Sequence, residues 1–195
     1  NSPWVANTGF VYNADVFSTC WSRTPDLYTS FAWLVRTGGT PNVNTGPSGA
    51  ATGSNYLYAE SSWGLVGDFA EIRLPQLYKT ATGAFEVSFA YHAFGAGIDS
   101  TFVDYSNDMG ATWLTMGGLT QSQTSSTDPW ATFTGYPAAT GDTLDIRIRQ
   151  RKSGVSSFLG DMAIDDISVN VVTCPTPTVT VDSVSSTSVS ISWSN

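Results

Sequence analysis

The chain has 195 residues, with 16 acidic against 8 basic side chains and a formal net charge of -8. Charged residues make up only 12% and hydrophobic residues 41%, the reverse of a disordered chain, and Gly and Pro are too sparse for collagen or low-complexity sequence. No run of about 18 apolar residues exists to cross a membrane as a helix, and an acidic surface repels a phosphate backbone, which argues against nucleic acid.

Strand signals dominate, and no stretch carries apolar residues at helical spacing with clean caps. In chain order, Tyr56 and Tyr58 alternate with Leu57 and Ala59. Ala70, Ile72 and Leu74 alternate with Glu71 and Arg73, and Pro75 ends that strand. Phe85, Val87, Phe89 and Tyr91 alternate with Glu86, Ser88, Ala90 and His92. Leu144, Ile146 and Ile148 alternate with Asp145, Arg147 and Arg149. A further strand runs from Met162 to Val169. Short strands separated by polar loops, without helical spacers, predict an all-β sandwich of two antiparallel sheets.

Composition changes after Val172. Residues 1–172 read as one domain, and 173–195 as a stiff Pro-containing linker followed by two short strands around Val179–Val184 and Val189–Trp193. Those strands resemble the opening of a fibronectin type III domain. The abrupt start at Asn1 and this partial second module make the chain read as a segment of a longer protein, with no signal peptide in view. The two cysteines, Cys20 and Cys174, lack metal-site spacing. They are either two buried thiols or, as expected of an extracellular chain, one disulfide joining the first strand to the last.

The stretch Gly160-Asp161-Met162-Ala163-Ile164-Asp165-Asp166-Ile167-Ser168-Val169 resembles the C-terminal signature of the MAM family. Other pieces fall in that family's order: Phe17 to Trp21, Thr45-Gly46-Pro47, Tyr56 to Ser61, Ala70 to Pro75 and Tyr91 to Gly95. The resemblance covers roughly residues 10–172. It implies a jelly-roll β-sandwich and an extracellular, non-catalytic module used in adhesion or recognition. The chain departs from animal members in having two cysteines rather than four, Ser48-Gly49-Ala50 after the TGP loop, and no N-glycosylation sequon. With the fibronectin-like tail, these departures point to a secreted or cell-surface bacterial multidomain protein.

Several constellations are candidates for chemistry. Ser106-Asn107-Asp108-Met109-Gly110-Ala111-Thr112-Trp113 fits the S-x-D-x-G-x-T-W Asp-box pattern. A single copy reads as a stabilised hairpin rather than as a propeller. Asp161, Asp165 and Asp166 offer hard oxygen ligands for a structural Ca²⁺, with Asp15, or else Asp26, as a partner from the first strand. The alternative for each is a hydrogen-bonded structural carboxylate. Alternation along a strand would send Asp165 and Asp166 to opposite faces.

The single histidine, His92, lacks the partners of a hydrolytic triad or a zinc site and reads as a strand-surface residue. Arg147, Arg149, Arg151 and Lys152 hold four of the 8 basic residues. The three arginines share one strand face at i, i+2, i+4. Three guanidiniums in a row need either neighbouring carboxylates, such as Asp104, Glu86 or Asp145, or an anionic ligand. With Val103 and Tyr105 turned to the core, Phe102 and Asp104 join the outward face, and His92 is a further candidate for it. Aromatics beside arginines and acids suit sugar rings, whose faces stack while polar groups fix their orientation.

Trp21, Trp33 and Trp113 read as core or near-core. Trp4, Trp63 and Trp130 lie in loop-like segments and either pack under loops or serve as exposed platforms. The expectation is a monomeric, non-catalytic polysaccharide-binding module, with a groove of Arg147, Arg149, Arg151, His92, Phe102 and Asp104. The competing readings are a protein–protein adhesion module, a structural spacer and, least of all, a hydrolase.

Overall fold

The computed structural model describes residues 20–26, 30–79, 83–154, 158–172 and 178–194. Its strands are β1 (Ser22–Thr24), β2 (Trp33–Thr37), β3 (Asn55–Ala59), β4 (Phe69–Arg73), β5 (Leu77–Tyr78), β6 (Ala84–His92), β7 (Ile98–Ser106), β8 (Leu114–Leu119), β9 (Ala131–Gly135), β10 (Thr143–Lys152), β11 (Ala163–Val172), β12 (Thr178–Val184) and β13 (Val189–Ser194). One sheet runs β1-β4-β10-β7-β8, with β5 also on β10; the other runs β2-β3-β11-β6-β9. The paired strands are antiparallel throughout. The chain crosses repeatedly between the sheets, which makes the fold a jelly-roll β-sandwich, as expected. Among the described residues no helix is long and apolar enough to cross a membrane.

The core lies between the sheets and follows the period-2 pattern. From the first sheet Ile72, Val103, Tyr105, Leu144, Ile146 and Ile148 turn inward; from the second come Trp33, Leu57, Phe85, Val87, Phe89 and Ile164. Trp33 on β2 is fully buried and donates its indole N–H to the Ala70 carbonyl on β4 at 3.0 Å. A large apolar side chain thereby also ties the sheets by a satisfied polar tip.

Alternation fails at one informative place. Ile164 and Ile167, three residues apart, both enter the core. The β11–β6 register slips between Asp165 and Ser168, and Asp166 sits at φ 50. The bulge absorbs one residue and so resets the faces. Asp165 and Asp166 therefore do not diverge, contrary to the alternation argument. Asp165 Oδ2 accepts the Ala51 N–H at 2.9 Å and the Thr52 N–H at 3.3 Å, and Asp166 Oδ1 accepts the Thr52 hydroxyl at 2.5 Å. Both carboxylates pin the loop before β3.

The fibronectin-like segment forms a β12–β13 hairpin whose Val181, Val184, Val189 and Ile191 are exposed. Cys20 is exposed, and Cys174, Asp15 and Trp4 lie outside the described residues.

Candidate functional site

The outward face of the β1-β4-β10-β7-β8 sheet carries the arginine run. Register places Arg147 opposite Arg73 and Asp104, Arg149 opposite Glu71 and Phe102, and Arg151 opposite Phe69. The face therefore gathers β4, β10 and β7 side chains that are far apart in sequence.

Two carboxylates neutralise its centre. Asp104, only 1% exposed, accepts Arg147 Nε at 2.8 Å, Arg149 Nε at 2.6 Å and the Thr115 hydroxyl at 2.7 Å. Glu71 accepts Arg147 at 3.1 Å and Arg73 Nε at 2.6 Å. Burial works to raise the Asp104 carboxyl, but hydrogen bonds from Arg149, Thr115 and Arg147 outweigh it and hold the group below the usual carboxylate range. Of the two ways to relieve three adjacent guanidiniums, the fold uses Asp104, with Glu71 added; Glu86, on β6, is instead bonded to the Tyr136 hydroxyl.

Aromatic rings cover what the carboxylates leave. Arg147 lies 4.3 Å and Arg73 5.1 Å from the centre of the Trp113 ring. Arg149 lies 4.9 Å from Phe69 and 5.2 Å from Phe102. Such stacking is worth about 0.5–1 kcal/mol at exposed sites and more where water is excluded. The result is a strip with Trp113 at one end, Phe69 and Phe102 at the other, and an acid–arginine layer between. The ends differ from the centre. Arg147 and Arg149 are 16% and 21% exposed in their side chains, whereas Arg73 and Arg151 are 44% and 49% exposed. Arg151 reaches only Asp99, at 3.8 Å. Arg147 and Arg151 stand about 13 Å apart along β10 from the strand rise.

The Asp-box turn explains how Trp113 is aimed. Asp108 Oδ1 accepts the Ser106 hydroxyl at 2.7 Å and the Thr112 N–H at 2.8 Å, and its other oxygen accepts the Thr112 hydroxyl at 2.6 Å. The Thr112 and Ser106 bonds hold this carboxyl at about 2. Gly110 adopts φ 82, and a Cβ there would stand 3.2 Å from the Trp113 ring. The motif is the β7–β8 hairpin turn, and it delivers the indole onto Arg147. Sequence reasoning recognised the turn and did not connect it to the arginines. The missed members of the strip are Trp113, Phe69, Arg73 and Glu71, and for the last three the signal was the Phe69–Arg73 alternation.

His92 is a correction. It is fully buried and lies on β6, in the opposite sheet. It does point away from the main core, but Trp130 packs on it edge-on at 5.7 Å and the loop containing Asp128 covers it. Burial pushes its pKa down, against the pull of Asp128. It takes no part in the arginine face. Trp130 also meets Tyr56 at 5.8 Å, so this Trp packs under its loop, whereas Trp63 is exposed.

Of the expected calcium ligands, Asp15 lies outside the described residues. Among the described residues no three His, Cys, Asp or Glu side chains cluster to hold a metal ion. Asp165 and Asp166 hold the loop before β3, and the alternative partner Asp26 bonds Arg23 at 2.7 Å. Asp161 differs. It is fully buried, its Oδ1 accepts the Ser61 N–H and hydroxyl at 3.0 and 2.9 Å, and its Oδ2 has no hydrogen-bond partner. Burial, aided by the nearby Glu60 charge, pushes its carboxyl up to about 7. Glu60 is also buried and accepts the Ser62 N–H and the Tyr58 hydroxyl. Lys152, turned inward at the end of β10, donates to the Ser61 carbonyl and supplies the neighbouring positive charge.

No family model matches the chain. Among solved structures it resembles the K1 cleaved adhesin domain of Lys-gingipain from Porphyromonas gingivalis W83, at 14% identity and TM-score 0.56, covering 80% of this chain and 94% of that one. It also resembles the K2 cleaved adhesin domain of Lys-gingipain, at 18% identity and TM-score 0.52, covering 78% and 90%. A weaker likeness is to TmCBM61 in complex with beta-1,4-galactotriose, at 15% identity and TM-score 0.48, covering 78% and 89%. The two adhesin domains share this chain's fold along nearly their whole length, and the fold is what these likenesses establish.

Proposed function

We propose that this domain is a non-catalytic module of a secreted multidomain bacterial protein that binds a polysaccharide along the arginine–aromatic strip. The observation that carries the reading is the paired geometry of Trp113 on Arg147 and of Arg149 between Phe69 and Phe102. Rings and guanidiniums held in place by Asp104 and Glu71 lose little side-chain entropy when a sugar stacks on them. Their edges and donors match the apolar faces and hydroxyls of pyranose rings. The strip lacks the marks of a catalytic centre, because its carboxylates are consumed by arginines and so are poor proton donors or nucleophiles. Anionic or sulfated chains are the specific form of the proposal. The centre is charge-balanced, so an anionic group would be read by the more exposed Arg73 and Arg151. The ordered MAM-like series supports membership of that extracellular family, and the terminal hairpin supports a following fibronectin type III module.

A structural Ca²⁺ belongs to the same reading, with Asp161 as its ligand from the expected set of Asp15, Asp161, Asp165 and Asp166. What supports it is the buried Asp161 oxygen without a hydrogen-bond partner, with Glu60 buried nearby, oxygen being the ligand a hard cation takes. Bound there, it would tie the start of β11 to the end of β3.

Affinity gel electrophoresis tests the function. Xylan, β-1,4-galactan, polygalacturonate and a sulfated galactan are embedded in native gels. Retardation by at least one, lost in Trp113→Ala and Arg149→Ala, is expected. No retardation by any of the four, or retardation unchanged in both variants, would overturn it.

A further inference from the structure

The strip does not end at Phe69. Beyond it, a cleft of about 400 Å³ opens between the end of β1, the start of β2 and the loop before β4, lined by Thr24, Pro25, Ser30, Phe31, Gly64, Asp68 and Phe69. That volume lies near the lower end of small-molecule sites, enough for one or two sugar residues and too little for a folded partner. Its walls are of two kinds. Pro25, Phe31 and Phe69 give apolar surface; Thr24 and Ser30 give hydroxyls, and Asp68 gives a carboxylate. Asp68 Oδ2 accepts the Leu65 N–H at 2.7 Å, which fixes the side chain while leaving its other oxygen able to accept from a ligand hydroxyl.

The opening depends on a glycine. Gly64 sits at φ 85, and a Cβ there would stand 2.7 Å from Phe31 Cβ and 3.3 Å from Asp68 Oδ2. Any larger residue would both strain the backbone and fill the cleft against the buried Phe31. Phe69 links the two regions: its ring lies 6.2 Å from Phe102 and 4.9 Å from the Arg149 guanidinium, and it also lines the cleft.

We infer that this cleft is a subsite for a terminal or branch sugar of the polysaccharide laid on the strip, with Asp68 accepting hydrogen bonds from its hydroxyls and Phe69 stacking at the junction. The inference rests on the strip reading. It adds that recognition is of a chain end or branch and not only of a repeating backbone. The polarity of the cleft also selects the sugar. An acid at its wall favours a neutral, hydroxyl-rich residue there, even where Arg73 and Arg151 take anionic groups further along. A uronate or sulfated residue would meet the Asp68 charge and be disfavoured.

Galactose, xylose and galacturonic acid, each also as its 1,4-linked dimer, are titrated by isothermal calorimetry into the wild type and the variants Asp68→Asn, Ser30→Ala and Trp113→Ala. The polysaccharide gels are run in parallel, with melting temperatures confirming folding. The expected result is saturable binding of a neutral monosaccharide or dimer, weakened about tenfold or more by Asp68→Asn, weakened several-fold by Ser30→Ala and unchanged by Trp113→Ala. Polymer retardation would be reduced by Asp68→Asn and Ser30→Ala and lost in Trp113→Ala. Retardation that is intact in Asp68→Asn and Ser30→Ala, with no short sugar bound, would overturn the subsite and leave the strip standing. Retardation absent for every polymer would remove both. A preference for galacturonic acid over galactose would overturn the charge argument.

Discussion

Replacing Asp104 by Asn tests the electrostatic core of the strip. The wild-type carboxylate is 1% exposed and holds two guanidiniums and a hydroxyl at 2.6–2.8 Å. Asn keeps one acceptor oxygen and removes the charge. Arg149 then loses its acid, whereas Arg147 retains Glu71 at 3.1 Å. Hydrogen bonds to charged groups are worth about 1.5–3 kcal/mol each, and breaking a buried pair costs about 3–5 kcal/mol. The guanidiniums are partly solvated, so about 2–4 kcal/mol is expected, a fall in melting temperature of about 4–15 °C at this chain length. The pH dependence has a definite sign. A carboxyl whose folded pKa is depressed stabilises the fold above its unfolded value of about 3.9, and that contribution is lost as pH falls through the folded pKa. The gap between wild type and Asp104→Asn should therefore be full at pH 7 and shrink below pH 4. Calorimetric scans at pH 7 and pH 3 measure it. A change under 1 °C at pH 7, or an equal gap at both pH values, would refute the ion-pair account.

Asp161 behaves oppositely. Its folded pKa is raised to about 7, so without divalent cations stability should fall as pH rises from about 4 through 7; Glu60 and Lys152 face the same group. Added Ca²⁺ should raise the melting temperature at pH 8, and Asp161→Asn should abolish that rise; chelator titrations by calorimetry decide it. Trp113→Ala should cost about 1 kcal/mol through lost stacking on Arg147 and should eliminate polymer retardation, a pairing of small stability loss with large binding loss that a purely structural Trp would not show. Arg151→Ala should leave stability within about 0.5 kcal/mol but weaken any polygalacturonate or sulfated-galactan retardation relative to the neutral polymers; equal weakening across all polymers would remove the anionic form of the proposal.

Reading the chain alone recovered the sandwich because burial between two sheets writes itself as period-2 alternation, as in Phe85–Phe89 and Leu144–Ile148. The arginine face followed from the same period, as did Phe102 and Asp104 beside it. Three things did not follow. His92 alternates as a surface residue, yet a loop folds over it, and loop placement has no periodic signature. Asp165 and Asp166 sit in a bulge, where one residue at positive φ cancels the alternation that placed them on opposite faces. Glu71 reads only as a polar strand position and Trp113 as near-core, because strand order is invisible in a linear pattern.

The sequence by itself determined the strand content, the inward apolar stripes and the clustering of basic residues, since these depend on local spacing and side-chain type. Only the tertiary structure decided which strand lies beside β10. That neighbour relation, set by non-local hydrogen-bond register, brings Glu71 and Asp104 onto the guanidiniums and Phe69, Phe102 and Trp113 over them. It turns a repulsive row of arginines into an ordered surface whose centre is charge-compensated.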